Sequence, residues 1–211
     1  HNLAQHYAKV FDIHFLDRDS QLKHVWQTSW GVSTRLIGGL IMVHGDERGL
    51  VLPPKVAPTQ VVIVPIAMHK EGVLEKANEL LDRLKKIGLR VELDDRETQS
   101  PGWKFNEWEL KGVPVRLEIG PRDIKKDQVV LARRDNGEKT FVKIENLERD
   151  IIEIIDAIQS DLLQKALNMR EDRTTTATDM EAFKEGVKRG FVKAMWCGSE
   201  KCEDAIREES G

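Results

Sequence analysis

Three places in the chain gather residues that can do chemistry. In the first, Arg35 follows Ser33 and Thr34 and opens an apolar run over 36–43. A guanidinium keeps its charge and grips two phosphate oxygens, and helix-end amides beside it add positive potential. The same pattern also fits a surface ion-pair partner, and the residues alone leave both readings open. The second place is 103–123, which mixes Trp103 and Trp108 with Lys104, Glu109, Arg116, Arg122 and Asp123. Splayed bases of single-stranded RNA stack on planar side chains. Guanine offers O6 and N7 to a cation and its N1 and N2 donors to a carboxylate. Lys104, Arg116 and Arg122 could serve the first need, Glu109 and Asp123 the second. The plainer alternative is a helix and strand whose charges form surface salt bridges, with Trp103 and Trp108 as core anchors. In the third place, Cys197 and Cys202 could hold two corners of a tetrahedral zinc site, which needs four N or S ligands. No histidine lies near them, so two free thiols fit equally well. His44 reads as a structural histidine.

The elements that must carry these groups follow from periodicity. Residues 11–16 and 24–30 read as strands, and 35–43 as a short helix, though so short an apolar run also allows a strand. Gly45, Gly49, Pro53, Pro54 and Pro58 predict an irregular stretch. The β-branched run 60–66 predicts a buried strand. Leu74, Ala77, Leu81, Leu84 and Ile87 recur at helical spacing, with Gly88 as the stop. Strand 89–93 follows, then a helix started by Ser100-Pro101 and closed by Gly112, then strand 113–119. Residues 128–132 and 139–144 predict a hairpin around Asp135-Asn136-Gly137. Asn146 caps a long helix with Leu147, Ile151, Ile154, Ile158, Leu162 and Leu167 on one face. The order βαβαβββα over 60–170 predicts an α/β domain with a mixed sheet. A polar spacer at 171–178 precedes a last helix, capped by Asp179 and ending near Gly190.

Composition narrows the function classes. The chain has 211 residues, 40% hydrophobic and 33% charged, as a folded domain has. A net charge of −3 opposes bulk, non-specific nucleic-acid binding, and no DNA partner is expected. A local basic patch could still contact RNA. No apolar run reaches membrane-spanning length, so no membrane partner is expected. Two cysteines make no disulfide scaffold and point to a reducing, cytoplasmic setting. The first residues do not form a signal peptide, and the absence of Met at position 1 suggests a start inside a longer protein.

Residues 26–39, with Met42-Val43-His44-Gly45-Asp46 and Gly49-Leu50-Val51-Leu52-Pro53-Pro54, resemble motif 3 of class II prolyl-tRNA synthetases. The likeness is closest to the archaeal/eukaryotic-like type. Residues 57–63 resemble the entry to that family's anticodon-binding domain, and 104–114 with 116–123 its signature. Trp196-Cys197 through Cys202-Glu203 resemble the first half of its C-terminal zinc site.

The resemblance implies three segments. Residues 1–58 would be an antiparallel-sheet remnant of the class II catalytic domain, 59–170 the anticodon-binding domain, and 171–211 a truncated zinc-binding domain. It assigns ATP contact to Ser33 and Arg35, and proline contact to His1, Trp30 and Gly31, with Gln27 and Ser29 beside them. It assigns anticodon contact to Glu109, Arg116, Arg122 and Asp123; proline anticodons share two guanines. Cys197 and Cys202 would be half of a structural zinc site that a second cysteine pair completes downstream. No catalytic side chain is assigned. The parent enzyme would be a homodimer that uses ATP with Mg2+, proline and proline tRNA in protein synthesis. Motifs 1 and 2 are missing, so this chain alone is expected not to activate proline. His1 is expected to be mobile, and Met195 and Trp196 to pack against a neighbouring domain. A freestanding anticodon-domain-like RNA-binding or accessory module is the alternative, and a generic flavodoxin-like regulator a blander one. The synthetase reading also expects Arg35 to wall a concave nucleotide pocket.

Overall fold

A computed structural model describes residues 1–210 and divides the chain into two compact units, residues 1–39 and the remainder from Leu40. Gly211, the last residue of the expected third segment, lies outside the described residues. The first unit holds β1 (Asn2–Ala4), α1 (His6–Val10), β2 (His14–Leu16), β3 (Leu22–His24) and β4 (Gln27–Thr28). β1 pairs antiparallel with β4, and β2 with β3. The strands expected over 11–16 and 24–30 are shorter and interrupted. Asp12 takes φ 54°, a left-handed turn that no strand contains. His24 ends its pairing with β2, and Gln27 begins another with β1. α2 (Arg35–His44) is the expected helix and runs across the division between the units.

The second unit is built on a five-stranded sheet. Its elements are β5 (Val61–Pro65), α3 (Val73–Lys86), β6 (Val91–Leu93), α4 (Pro101–Leu110), β7 (Val115–Ile119), α5 (Pro121–Lys125), β8 (Gln128–Arg133), β9 (Lys139–Lys143) and α6 (Leu147–Asp172). The strand order is β6-β5-β7-β8-β9, parallel across β6, β5 and β7 and antiparallel from β7 to β9. Helical crossovers return the chain to parallel strands, and the Asn136-Gly137 turn closes the antiparallel hairpin.

Burial follows the pleat. Val61, Ile63, Leu117 and Leu131 face a core shared with Ala77, Leu80 and Leu84 of α3 and Leu147, Ile151 and Ile158 of α6. Val62 and Val64 face the other way, against Phe105, Trp108 and Val113. α4 starts as its sequence demands, with Pro101 in the first turn and the Ser100 hydroxyl accepting the Trp103 amide. Gly88 stops α3 at φ 88°. Within residues 60–170 the sequence gives no sign of α5, which sits between the third and fourth strands, where Pro121 starts it and Asp123 caps it. Asn146 stands at the α6 N-cap without the expected side-chain hydrogen bond, because a 3-10 turn over Ile144–Asn146 leads into the helix.

The C-terminal stretch corrects the expected spacer. Thr174–Ala177 is a strand, β10, paired parallel with β11 (Phe191–Ala194) through α7 (Met180–Val187). Three consecutive threonines are polar but β-branched, so their strand preference hid behind hydrophilicity. Asp179 caps α7 as expected, accepting the Ala182 amide. α7 is not the last helix, because α8 (Glu200–Ser210) follows.

Candidate nucleic-acid interface

One sheet face carries an ordered set of charges. The register aligns Arg116 of β7 with Ala132 of β8, and Ala132 with Lys139 of β9. The adjacent row on the same face is Glu118, Val130 and Phe141. α4 packs over the β5 end of this face through Phe105 and Trp108, while Phe141 at the β9 end is 67% exposed. Arg116 is only 8% exposed. Its Nε donates to Glu118 Oε1 at 3.1 Å, and its Nη1 to Glu109 Oε1 at 3.3 Å. The guanidinium lies 4.1 Å over the Phe105 ring, a cation–π contact. Lys139 Nζ donates to both Glu118 oxygens, at 3.0 and 3.2 Å. The result is a fixed patch of two cations, two carboxylates and a ring.

Two buried networks hold the patch in place. Arg134 grips Asp46 with both Nη atoms, at 2.8 and 2.6 Å, and its Nε donates to the Glu109 carbonyl at 2.9 Å. The backbone that carries Glu109 is thereby pinned. The Arg134 hydrogen bonds hold the Asp46 carboxyl well below the usual carboxylate range. Asp94 anchors α4 from below. Its carboxylate accepts the Trp108 indole at 2.8 Å and Arg96 at 2.9 and 2.7 Å, and its carbonyl accepts Lys104 Nζ at 2.9 Å. Burial alone would raise the Asp94 pKa, but Arg96, Trp108 and the Lys104 charge outweigh it and hold it low.

Several expected roles change. Lys104 is 1% exposed and spent on Asp94, so it cannot meet a base. Trp108 is a core anchor, but Trp103 is 46% exposed beneath Arg96. Residues five apart on a helix diverge by roughly 140°, so one face cannot bury both. Glu109 and Arg116 meet, whereas Arg122 and Asp123 lie beyond Ile119, past the end of β7. The Asp123 carboxylate accepts the Gly120 amide at 3.0 Å, and Arg122 is exposed. Phe105, Glu118 and Lys139 escaped sequence reasoning. The alternation of Lys139 and Phe141 was the available signal, but it needed the β8–β9 register to acquire meaning.

In the first unit, Ser33, Arg35, Trp30 and Gly31 are all exposed. Trp26, Trp30, Val32, Leu36 and Ile37 also stand exposed there, leaving an apolar surface uncovered. The His1 amine donates to the Ser29 carbonyl at 2.7 Å and its carbonyl accepts the Ser29 amide at 2.9 Å. These bonds extend the β1–β4 pairing and set His1 across from Ser29. Cys197 and Cys202 are exposed. The Ser199 amide lowers the Cys197 pKa, and the hydrogen bond to Cys197 raises that of Cys202. Met195 and Trp196 are exposed rather than packed, since β11 ends at Ala194.

Residues 60–154 match the family described as an anticodon binding domain. The whole chain is 59% identical to a proline–tRNA ligase of Alkaliphilus oremlandii and 56% identical to one of Oceanobacillus iheyensis. The chain is homologous to prolyl-tRNA synthetases along its whole length. It spans 44% of the length of each of these two relatives. A solved prolyl-tRNA synthetase of Cryptosporidium parvum, complexed with L-proline and AMP, matches with a TM-score of 0.92 and 42% identity. That match covers all of this chain and 46% of the synthetase chain. The patch of Glu109, Arg116, Glu118 and Lys139 thus falls inside the stretch that matches the anticodon-binding family. Among the described residues, no helix is long and apolar enough to cross a membrane.

Proposed function

We propose that the chain is part of a proline–tRNA ligase and that its sheet face reads the guanines of the proline anticodon. The observation that carries this reading is Arg116, over the Phe105 ring and paired with Glu109, inside the anticodon-domain match. The Arg116 fork keeps N–H donors beyond those given to Glu109 and Glu118, and they suit guanine O6 and N7. The second Glu109 oxygen suits the guanine N1 and N2 donors. Exposed Phe141 offers a surface for an unstacked base. Arg122 and Asp123 would act on a separate part of the anticodon loop, with Asp123 first having to release its cap.

Residues 1–58 would supply part of the site that joins proline to AMP. There the proline carboxylate attacks the α-phosphorus of ATP and pyrophosphate leaves, so the protein's task is positioning and charge neutralisation. Ser33 and Arg35 would hold phosphate oxygens, with Mg2+ arriving on ATP. His1, held beside Ser29, and Trp30 with Gly31 would flank proline. The exposed apolar side chains around Arg35 are what a segment covered by more protein would carry, either from the rest of the enzyme or from a second subunit. Residues 171–211 would begin a zinc-binding domain. Cys197 and Cys202, both free thiols, would be two of the four ligands, and a further pair would be required. The cytoplasm is the proposed location. Residues 1–58 lie within the stretch that aligns with ligases, and a freestanding RNA-binding module has no reason to keep them.

The test is binding of proline tRNA transcripts to the 211-residue chain. Tighter binding of the natural anticodon than of one with both guanines changed to adenine supports the reading, and equal binding refutes it. Proline-dependent ATP–pyrophosphate exchange should be absent from the chain alone.

A further inference from the structure

The β2–β3 hairpin holds a group of side chains that tRNA charging does not explain. His14 and His24 stand directly opposite each other on antiparallel strands. The Asp17 amide bonds to the Gln21 carbonyl at 2.9 Å, which makes that pair a hydrogen-bonded one. Pair types alternate along the ladder, so His14–His24, three steps on, is the close, non-hydrogen-bonded type. The two rings stack with centroids 4.1 Å apart and an interplanar angle of 29°. Asp12 precedes them in its left-handed turn, with Oδ1 3.5 Å from His14 Nδ1. One ligand atom from each of the three side chains lies within 4.8 Å of the other two.

We propose that Asp12, His14 and His24 form a binding site for a divalent transition-metal ion, with Zn2+ as the ion best suited to it. Two imidazoles and one carboxylate are a borderline-soft donor set that prefers such ions over Mg2+ or Ca2+. Zinc bonds of ~2.0–2.1 Å place tetrahedral donors about 3.3 Å apart. Asp12 and His14 would turn about χ to reach that spacing; the Asp12 side chain is exposed and that of His14 partly so. Backbone carbonyls stand ready to orient the rings: His14 Nδ1 lies 3.1 Å from the Asp12 carbonyl and His24 Nδ1 lies 3.3 Å from that of Ile13. A carbonyl holding Nδ1–H leaves Nε2 with a free lone pair for the metal. The His24 carbonyl is itself tied to Gln5 Nε2 at 2.8 Å. Water would fill the fourth position.

The unit has reason to use such a clip. Among the described residues 1–39, Ala8 is the only buried one, so an apolar core contributes little. A metal that binds only the folded hairpin adds its binding free energy to folding. The site shares no residue with the cysteine pair, and the anticodon reading does not depend on it.

The experiment uses the full chain with Cys197→Ser and Cys202→Ser, titrated with ZnCl2 by calorimetry and equilibrium dialysis. The expected result is one Zn2+ per chain. His14→Gln and His24→Gln should each weaken binding at least tenfold, Asp12→Asn less, and His69→Gln not at all. Zinc should also slow proteolysis between β2 and β3 in the double-serine chain but not in His14→Gln. His14 is exposed, so its replacement spares the fold, and circular dichroism checks that. No saturable uptake by the double-serine chain, or uptake unchanged by both histidine substitutions, overturns the proposal.

Discussion

Replacing Arg116 separates base reading from scaffolding. Arg116→Ala removes two hydrogen bonds to carboxylates and the contact with Phe105. Glu118, 5% exposed, keeps only Lys139. A buried carboxylate that loses one of two partners costs about 1–3 kcal/mol, and the lost cation–π contact about 0.5–2 kcal/mol more. The domain should therefore melt earlier but still fold on its main core, which lies on the other sheet face. The effect on RNA is distinct. A bidentate arginine–guanine contact is worth about 1–3 kcal/mol of discrimination, or roughly 5- to 150-fold in affinity. Fluorescence anisotropy at one fixed salt concentration should measure the ratio of affinities for guanine- and adenine-bearing proline anticodons. Loss of fold lowers both affinities, whereas loss of reading lowers only their ratio. Arg116→Lys keeps the charge near Glu118 but not the fork, so it should retain most stability and still lose discrimination. If Arg116→Ala binds both transcripts in the wild-type ratio, Arg116 is a scaffold residue and the assignment fails.

Two further outcomes follow from the buried networks. Asp94→Ala removes the carboxylate that neutralises buried Lys104, whose bond to the backbone carbonyl survives, and the acceptor of the Trp108 indole, and should cost about 3–5 kcal/mol, read by urea denaturation; a loss below about 1 kcal/mol would mean that the network is slack. Asp46 and Asp94 both titrate below their ordinary range in the folded chain, so their contribution is complete above the unfolded carboxylate pKa, near 3.8. It is lost as pH falls through the folded values, so thermal stability should drop below about pH 4–5, and Asp94→Asn should flatten that slope.

The amino-acid sequence by itself determined the elements whose signals are local. The β-branched run at β5, the apolar spacing of α3, the Ser100 and Asp179 caps and the Asn136-Gly137 turn each act within a few residues. The motif resemblance likewise runs along the chain, and it grouped Glu109, Arg116, Arg122 and Asp123, of which the first two meet. Tertiary structure decided what depends on residues distant in sequence. Strand register set Lys139 in the row of Arg116, and helix rotation buried Lys104 and Trp108 while exposing Trp103. The parallel β10–β11 pair closes through a helix, so polar threonines gave no sign of it. His14 and His24 meet only because the hairpin register makes them opposite. Periodicity reports which face of its own element a residue occupies, but the partner on that face is chosen by register and crossover, which no local pattern encodes.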